Sequence, residues 1–121
     1  MKLNTARVFV RDIARSRAFY EHTLGLRLKN DGSARGFCVF DAGTCELVLE
    51  AVPVDAPAQA LVGRVTGLAF NVANVHLTYQ QLKAKGVEFS AAPQLQFWGG
   101  TLATLRDPDG NELQIAHRPP A

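Results

Sequence analysis

The sequence predicts an α+β fold built from two βαβββ modules. Three observations predict it. A strand–helix–strand–strand–strand order of hydrophobic patterns occurs twice. Each helix is bounded by a capping Asp or Asn and a terminal glycine at matching places. A stretch without clear periodicity separates the two copies.

Residues 4–10 alternate as a strand does, with Ala6, Val8 and Val10 on one side and Thr5, Arg7 and Phe9 on the other. Asp12 is placed to cap a helix on which Ile13, Tyr20 and Leu24 share a face, with Phe19 beside them. Arg15, Arg17 and Glu21 are left to solvent, and Gly25 ends the helix. Strands are expected over 26–30, 36–40 and 45–52, separated by the 31–36 segment and an Asp41-Ala42-Gly43 turn. Residues 53–64 carry two prolines and three alanines and are read as a linker inside one domain of 1–121. The first module then covers about 1–52 and the second about 65–118.

The second module opens on a strand with Leu68, Phe70 and Val72 on one side and Gly67, Ala69 and Asn71 on the other. Asn74 caps a helix carrying Val75, Tyr79 and Leu82, and Gly86 ends it. Strands follow at 87–90, about 98–105, and 112–116. Asp107-Pro108-Asp109-Gly110 has the preferences of a type I turn, which makes the last two strands a hairpin. Val10-Arg11-Asp12-Ile13 overlies Val72-Ala73-Asn74-Val75 at an offset of 62. Modules of about 50 residues are too small to bury a good core each, so the two are expected to share one.

Composition narrows the function. The chain has 121 residues, 47% of them hydrophobic and 20% charged, as in ordinary globular domains. A net charge of +2 without a Lys/Arg run argues against a nucleic-acid partner. No secretory signal and no membrane-length apolar run is visible, so a cytoplasmic location without a membrane partner is expected. Cys38 and Cys45 match no zinc spacing and are read as reduced thiols. His22, His76 and His117 are read as surface residues, and no nucleophile–base arrangement is evident.

Val10-x-Asp12, Ser16, Phe19-Tyr20, Leu24-Gly25-Leu26, Phe70-x-Val72, Leu82-x-x-x-Gly86-Val87, Trp98-Gly99-Gly100 and Asp107-Pro108-Asp109-Gly110-Asn111 together resemble the vicinal oxygen chelate superfamily. This is the glyoxalase/bleomycin resistance protein/extradiol dioxygenase family. The resemblance implies a curved, mostly antiparallel eight-stranded sheet with helices on the convex face and a ligand funnel on the concave face. It also implies a homodimer.

In metal-using members, ligands come from four strands. The equivalent positions here are Thr5, Glu46, Gly67 and Gln114. A glycine, a neutral hydroxyl, one amide and one carboxylate fall short of the three good donors that a catalytic zinc needs. No metal or other cofactor is therefore expected, with a divalent metal as the alternative. Strand parity gives Arg7, Phe9, Glu46, Asn71 and Gln114 as ligand-binding candidates, and the loop setting before Gly99-Gly100 adds Trp98. Arg7 either pairs with Glu46 or receives an anionic ligand group, and Trp98 is expected to form a lid or pocket wall. The expected function is metal-independent binding of a small organic molecule, with no reaction required. The alternatives are a metal-dependent lyase, isomerase or dioxygenase, and a metal-free enzyme with Glu46 as the catalytic general base.

Overall fold

A computed structural model of the chain describes residues 1–119. The last two positions of the expected 1–121 domain lie outside the described residues. The fold is α+β with two βαβββ modules, and the described chain groups into two compact units.

The first unit holds residues 1–64 together with 108–110. Its elements are β1 (Thr5–Val10), α1 (Ile13–Ala18), β2 (Arg27–Gly32), β3 (Phe37–Asp41) and β4 (Glu46–Ala51). The strand order is β1-β4-β3-β2, with β1 parallel to β4 and the other pairs antiparallel. Asp12 caps α1 as expected, its carboxylate accepting the Arg15 N–H at 3.1 Å. After six residues the helix widens into a π turn over Phe19–Thr23, which ends where Leu24 N–H donates to the Phe19 carbonyl at 2.9 Å. Tyr20 lies on that turn, fully buried, with its ring 6.2 Å from Phe40. Val8, Val10, Cys38, Phe40, Leu47 and Leu49 complete this core, all at 0–1% exposure. The period-two alternation of β1, β3 and β4 puts them on one face, which burial against the helix explains.

The 108–110 turn carries more than a chain reversal. Asp109 has a fully buried carboxylate. It accepts from Arg15 Nη2 at 2.8 Å, from the Arg11 backbone N–H at 3.2 Å and from Ser16 Oγ at 3.3 Å, with Arg11 Nη1 at 3.6 Å. A buried carboxylate is tolerated only when donors replace its water. Arg15, expected at the solvent, instead has a partner in this turn.

The second unit holds residues 65–107 and those from Asn111 onward. Its elements are β5 (Val65–Asn71), α2 (Val75–Ala84), β6 (Glu88–Leu95), β7 (Thr101–Arg106) and β8 (Glu112–His117). The order is β5-β8-β7-β6, with β5 parallel to β8. Val75, Leu82, Val87, Ala103, Leu105, Leu113 and Ile115 are buried, and Tyr79 meets Phe89 edge-on at 4.6 Å. Asn74 caps α2 through Leu77 N–H at 3.1 Å. The Val75 N–H donates to His117 Nδ1 at 2.8 Å, so His117 is a second cap on that helix and not a free surface residue.

Two strand boundaries of the second unit differ most from expectation. β6 runs on to Leu95, and β7 begins only at Thr101. The cause is a tight turn closed by Gln96 N–H to the Gly100 carbonyl at 2.8 Å, which leaves Trp98 outside the strand. The linker holds one 3-10 turn, Pro57–Leu61. β5 is irregular between Val65 and Ala69, and Gly67 sits there at φ +75°, a conformation that favours glycine. Among the described residues no helix is long and apolar enough to cross a membrane. Cys38 and Cys45 are free thiols.

Replacing Asp109 with alanine removes the acceptor that joins Arg11, Arg15 and Ser16. Urea denaturation of this variant should show a loss of about 1–3 kcal/mol, the usual range for a buried hydrogen-bonded group whose partners can regain water. An unchanged midpoint would show that the turn is not an anchor.

Candidate functional site

The candidate site is built on the face of the first sheet opposite its core. The ladders place its residues in rows. Thr5 lies beside Glu46, Glu46 beside Asp41, and Asp41 beside Arg27. The next row is Arg7, Val48, Val39 and Asn30, and the third is Phe9, Glu50, Phe37 and Gly32. The parity expected for Thr5, Arg7, Phe9 and Glu46 is therefore present, and Val48 and Glu50 share their face, because β1 and β4 pair residue for residue.

Phe9, Phe37, Val39 and Val48 are half-buried and form an apolar floor. The Phe37 ring lies against Gly32 so closely that a Cβ at Gly32 would overlap it. Only glycine lets the ring lie flat at that place.

Ion pairs frame this floor. Arg7 Nε meets Glu50 at 3.5 Å, Arg27 Nη2 meets Asp41 at 2.8 Å, and Lys29 Nζ meets Glu46 at 2.5 Å. The Arg7–Glu46 pair considered from the sequence does not form. In the ladder Arg7 faces Val48, between the two acids, and Lys29 already holds Glu46. The Arg27 hydrogen bond, and after it the backbone N–H of Gly43 at 2.8 Å, hold the Asp41 carboxyl below the usual carboxylate range. At the end of the sheet where β1 begins, Lys2, Asn4, Lys29, Asp41, Thr44 and Glu46 border an open recess of about 470 Å³.

The remaining candidates belong to the second unit. On β8, Gln114 lies beside Ala69 and Thr104, and Asn71 lies beside Ala116. Arg106 on the same sheet bridges Glu88 at 2.8 Å and Glu112 at 3.3 Å. Trp98 is 41% exposed, with its indole against Gly100, and Phe97 next to it is fully exposed.

The donor set does not fit the metal of the family. Thr5 and Glu46 are neighbours, but the Thr5 hydroxyl bonds Asn4 at 2.7 Å and the Glu46 carboxylate is held by an ammonium. Gly67 offers no donor, and Gln114 offers an amide. Among the described residues no group of three His, Cys, Asp or Glu is placed to hold an ion.

Two features of the candidate site are absent from the residues expected on sequence grounds. One is Lys29, whose role depends on a bulge in β2: Leu28 faces Phe40 and Asn30 faces Val39, so Lys29 is an extra residue. No residue pattern announces that bulge. The other is Phe37 with Val39, and there a signal existed. The alternation of Phe37, Val39 and Asp41 against Cys38 and Phe40 assigns the first three to the open face.

Comparisons with known proteins agree with this architecture. A family model described as Glyoxalase/Bleomycin resistance protein/Dioxygenase superfamily matches residues 2–115. The chain belongs to this superfamily. It is 32% identical over 124 residues to the uncharacterized protein YraH of Bacillus subtilis, covering 95% of this chain and 97% of that protein. It shares 43% identity over 44 residues with a bleomycin resistance protein of Klebsiella pneumoniae, covering 31% of this chain and 35% of that one. A member of the superfamily from Sphaerobacter thermophilus superposes with a TM-score of 0.82 at 22% identity, covering 98% of each chain.

The lowered Asp41 value has a consequence for acid stability. The folded carboxyl binds its proton less tightly than the unfolded one. Its contribution is therefore complete above the ordinary carboxylate range near pH 4 and is lost as pH falls through the lowered folded value. Asp41→Asn should flatten this part of the thermal-stability profile between about pH 5 and pH 2. A variant profile parallel to that of the unaltered protein would contradict the assignment.

Proposed function

We propose that this protein binds a small organic molecule on the open face of its first sheet, without a metal ion. One observation carries the reading: a half-buried apolar floor of Phe9, Phe37, Val39 and Val48 framed by the Arg7–Glu50 pair. An apolar surface with a few placed polar groups is the usual composition of a small-molecule site. Covering about 200 Å² of apolar surface contributes about 5 kcal/mol. Loss of ligand freedom offsets much of that. Useful affinity then depends on a polar contact, and Arg7 supplies it. Its side chain is 52% exposed, and its Nε contact to Glu50 is long at 3.5 Å. The rest of the planar fork suits a carboxylate or another paired acceptor. An aromatic carboxylate fits both parts of this surface.

The reading assigns no reaction. A general base needs a carboxylate that can approach its substrate, and Glu46 is held by Lys29. Similarity over 44 residues to a protein named as a bleomycin resistance protein is in keeping with a binding function. Asn71, Trp98 and Gln114 are separate ligand-binding candidates of the second unit. The homodimer and the cytoplasmic location come from the family resemblance and the composition.

A thermal-shift screen of aromatic carboxylates, run with and without EDTA, tests this. Stabilising compounds should act equally in both conditions, and both Arg7→Ala and Phe37→Ala should weaken them about tenfold, or about 1.4 kcal/mol. The proposal fails if stabilisation requires added metal or if neither variant changes it.

A further inference from the structure

We infer that Lys29 takes the place of a divalent cation beside Glu46 and keeps metal ions out of this site. The inference rests on the metal-independent reading above and names the residue responsible for it. Glu46 is the single carboxylate among the four ligand-equivalent positions. Lys29 reaches it from β2, across β3, a span of about 10 Å that suits a lysine side chain. The β2 bulge frees Lys29 from a regular place in the ladder, since Asn30 and not Lys29 takes Val39 as partner. The ammonium then closes on the Glu46 carboxylate at 2.5 Å.

Stability alone does not account for this pair. Its side chains are 41% and 36% exposed, and exposed ion pairs add little to stability. Its effect on the charge of the site is larger. The only other acid in the same row, Asp41, is likewise held by a cation from β2, Arg27 at 2.8 Å. One strand thus neutralises Glu46, which adjoins the ligand-equivalent Thr5 position, and Asp41, the next residue along the same row. A metal ion would have to displace an ammonium from one of them and meet like charge at contact distance. Lys29 keeps further N–H donors, because an ammonium has three and Glu46 occupies one. It is therefore also a fixed cationic contact for an oxygen of a bound ligand.

The test restores a ligand and then removes the cation in the full chain. Thr5→His puts an imidazole beside Glu46, with Asp41 the next carboxylate along the row, and so adds the good donor that this position lacks. Calorimetric titration with nickel and zinc compares the unaltered protein, Thr5→His, Thr5→His/Lys29→Gln and Thr5→His/Lys29→Arg. The double variant with glutamine should bind at least about tenfold more tightly than Thr5→His alone, whereas the arginine version should not. Lys29→Glu, with threonine retained, is the second variant if the histidine substitution prevents folding. It should gain manganese affinity by a similar factor through its clustered carboxylates. Equal metal affinity with and without Lys29, including no binding in either, overturns the inference and leaves the ligand-binding reading standing. Micromolar metal binding by the unaltered protein overturns both.

Discussion

The parallel pairing of β1 with β4, residue for residue from Thr5 with Glu46 to Val10 with Ala51, is the constraint on which the site depends. A strand shows alternate side chains to opposite faces, and a shift of one residue would exchange them. In this register Val8, Val10, Leu47 and Leu49 all point into the core. The same register leaves Arg7, Phe9, Val48 and Glu50 together on the other face. Burial of the first set therefore positions the second, and no separate interaction is needed to assemble the floor. β3 extends both faces, since Cys38 and Phe40 join the core while Phe37 and Val39 join the floor.

In the proposed reading, electrostatic placement separates this protein from a metal-binding relative. The first sheet carries three acids and three basic residues on its open face, and each acid has a basic partner from β1 or β2. A site with its carboxylates already engaged has little capacity for a divalent ion. It retains hydrogen-bond donors and an apolar surface, which are the requirements for holding an organic anion. Function belongs to the residues of the site and not to the architecture that carries them.

Much of the fold was legible in the sequence because it rests on local rules. Asp12 and Asn74 announce helix starts, Gly25 and Gly86 announce stops, and the alternation of Thr5 to Val10 assigns strand faces. These are short-range consequences of backbone geometry. What the sequence hid depends on irregularity or on long-range contact. The β2 bulge at Lys29 has no residue signature, so its pairing with Glu46 was not foreseen and an Arg7–Glu46 pair was considered in its place. The contacts of Asp109 with Arg11, Arg15 and Ser16 join residues more than 90 positions apart in the chain. His117 was read as exposed because nothing local shows that the first N–H of α2 needs its Nδ1.

In the proposed binding mode, ligand occupies the open face of the first sheet. Methyl-resolved NMR of isotope-labelled valine reports it directly, since Val39 and Val48 lie on the floor and Val8 and Val10 lie on the core face of the same sheet. With a screened aromatic carboxylate in the presence of EDTA, the Val39 and Val48 signals should shift most, and those of Val8 and Val10 should move little. Shifts concentrated elsewhere, or no shifts until a metal ion is added, would contradict the account.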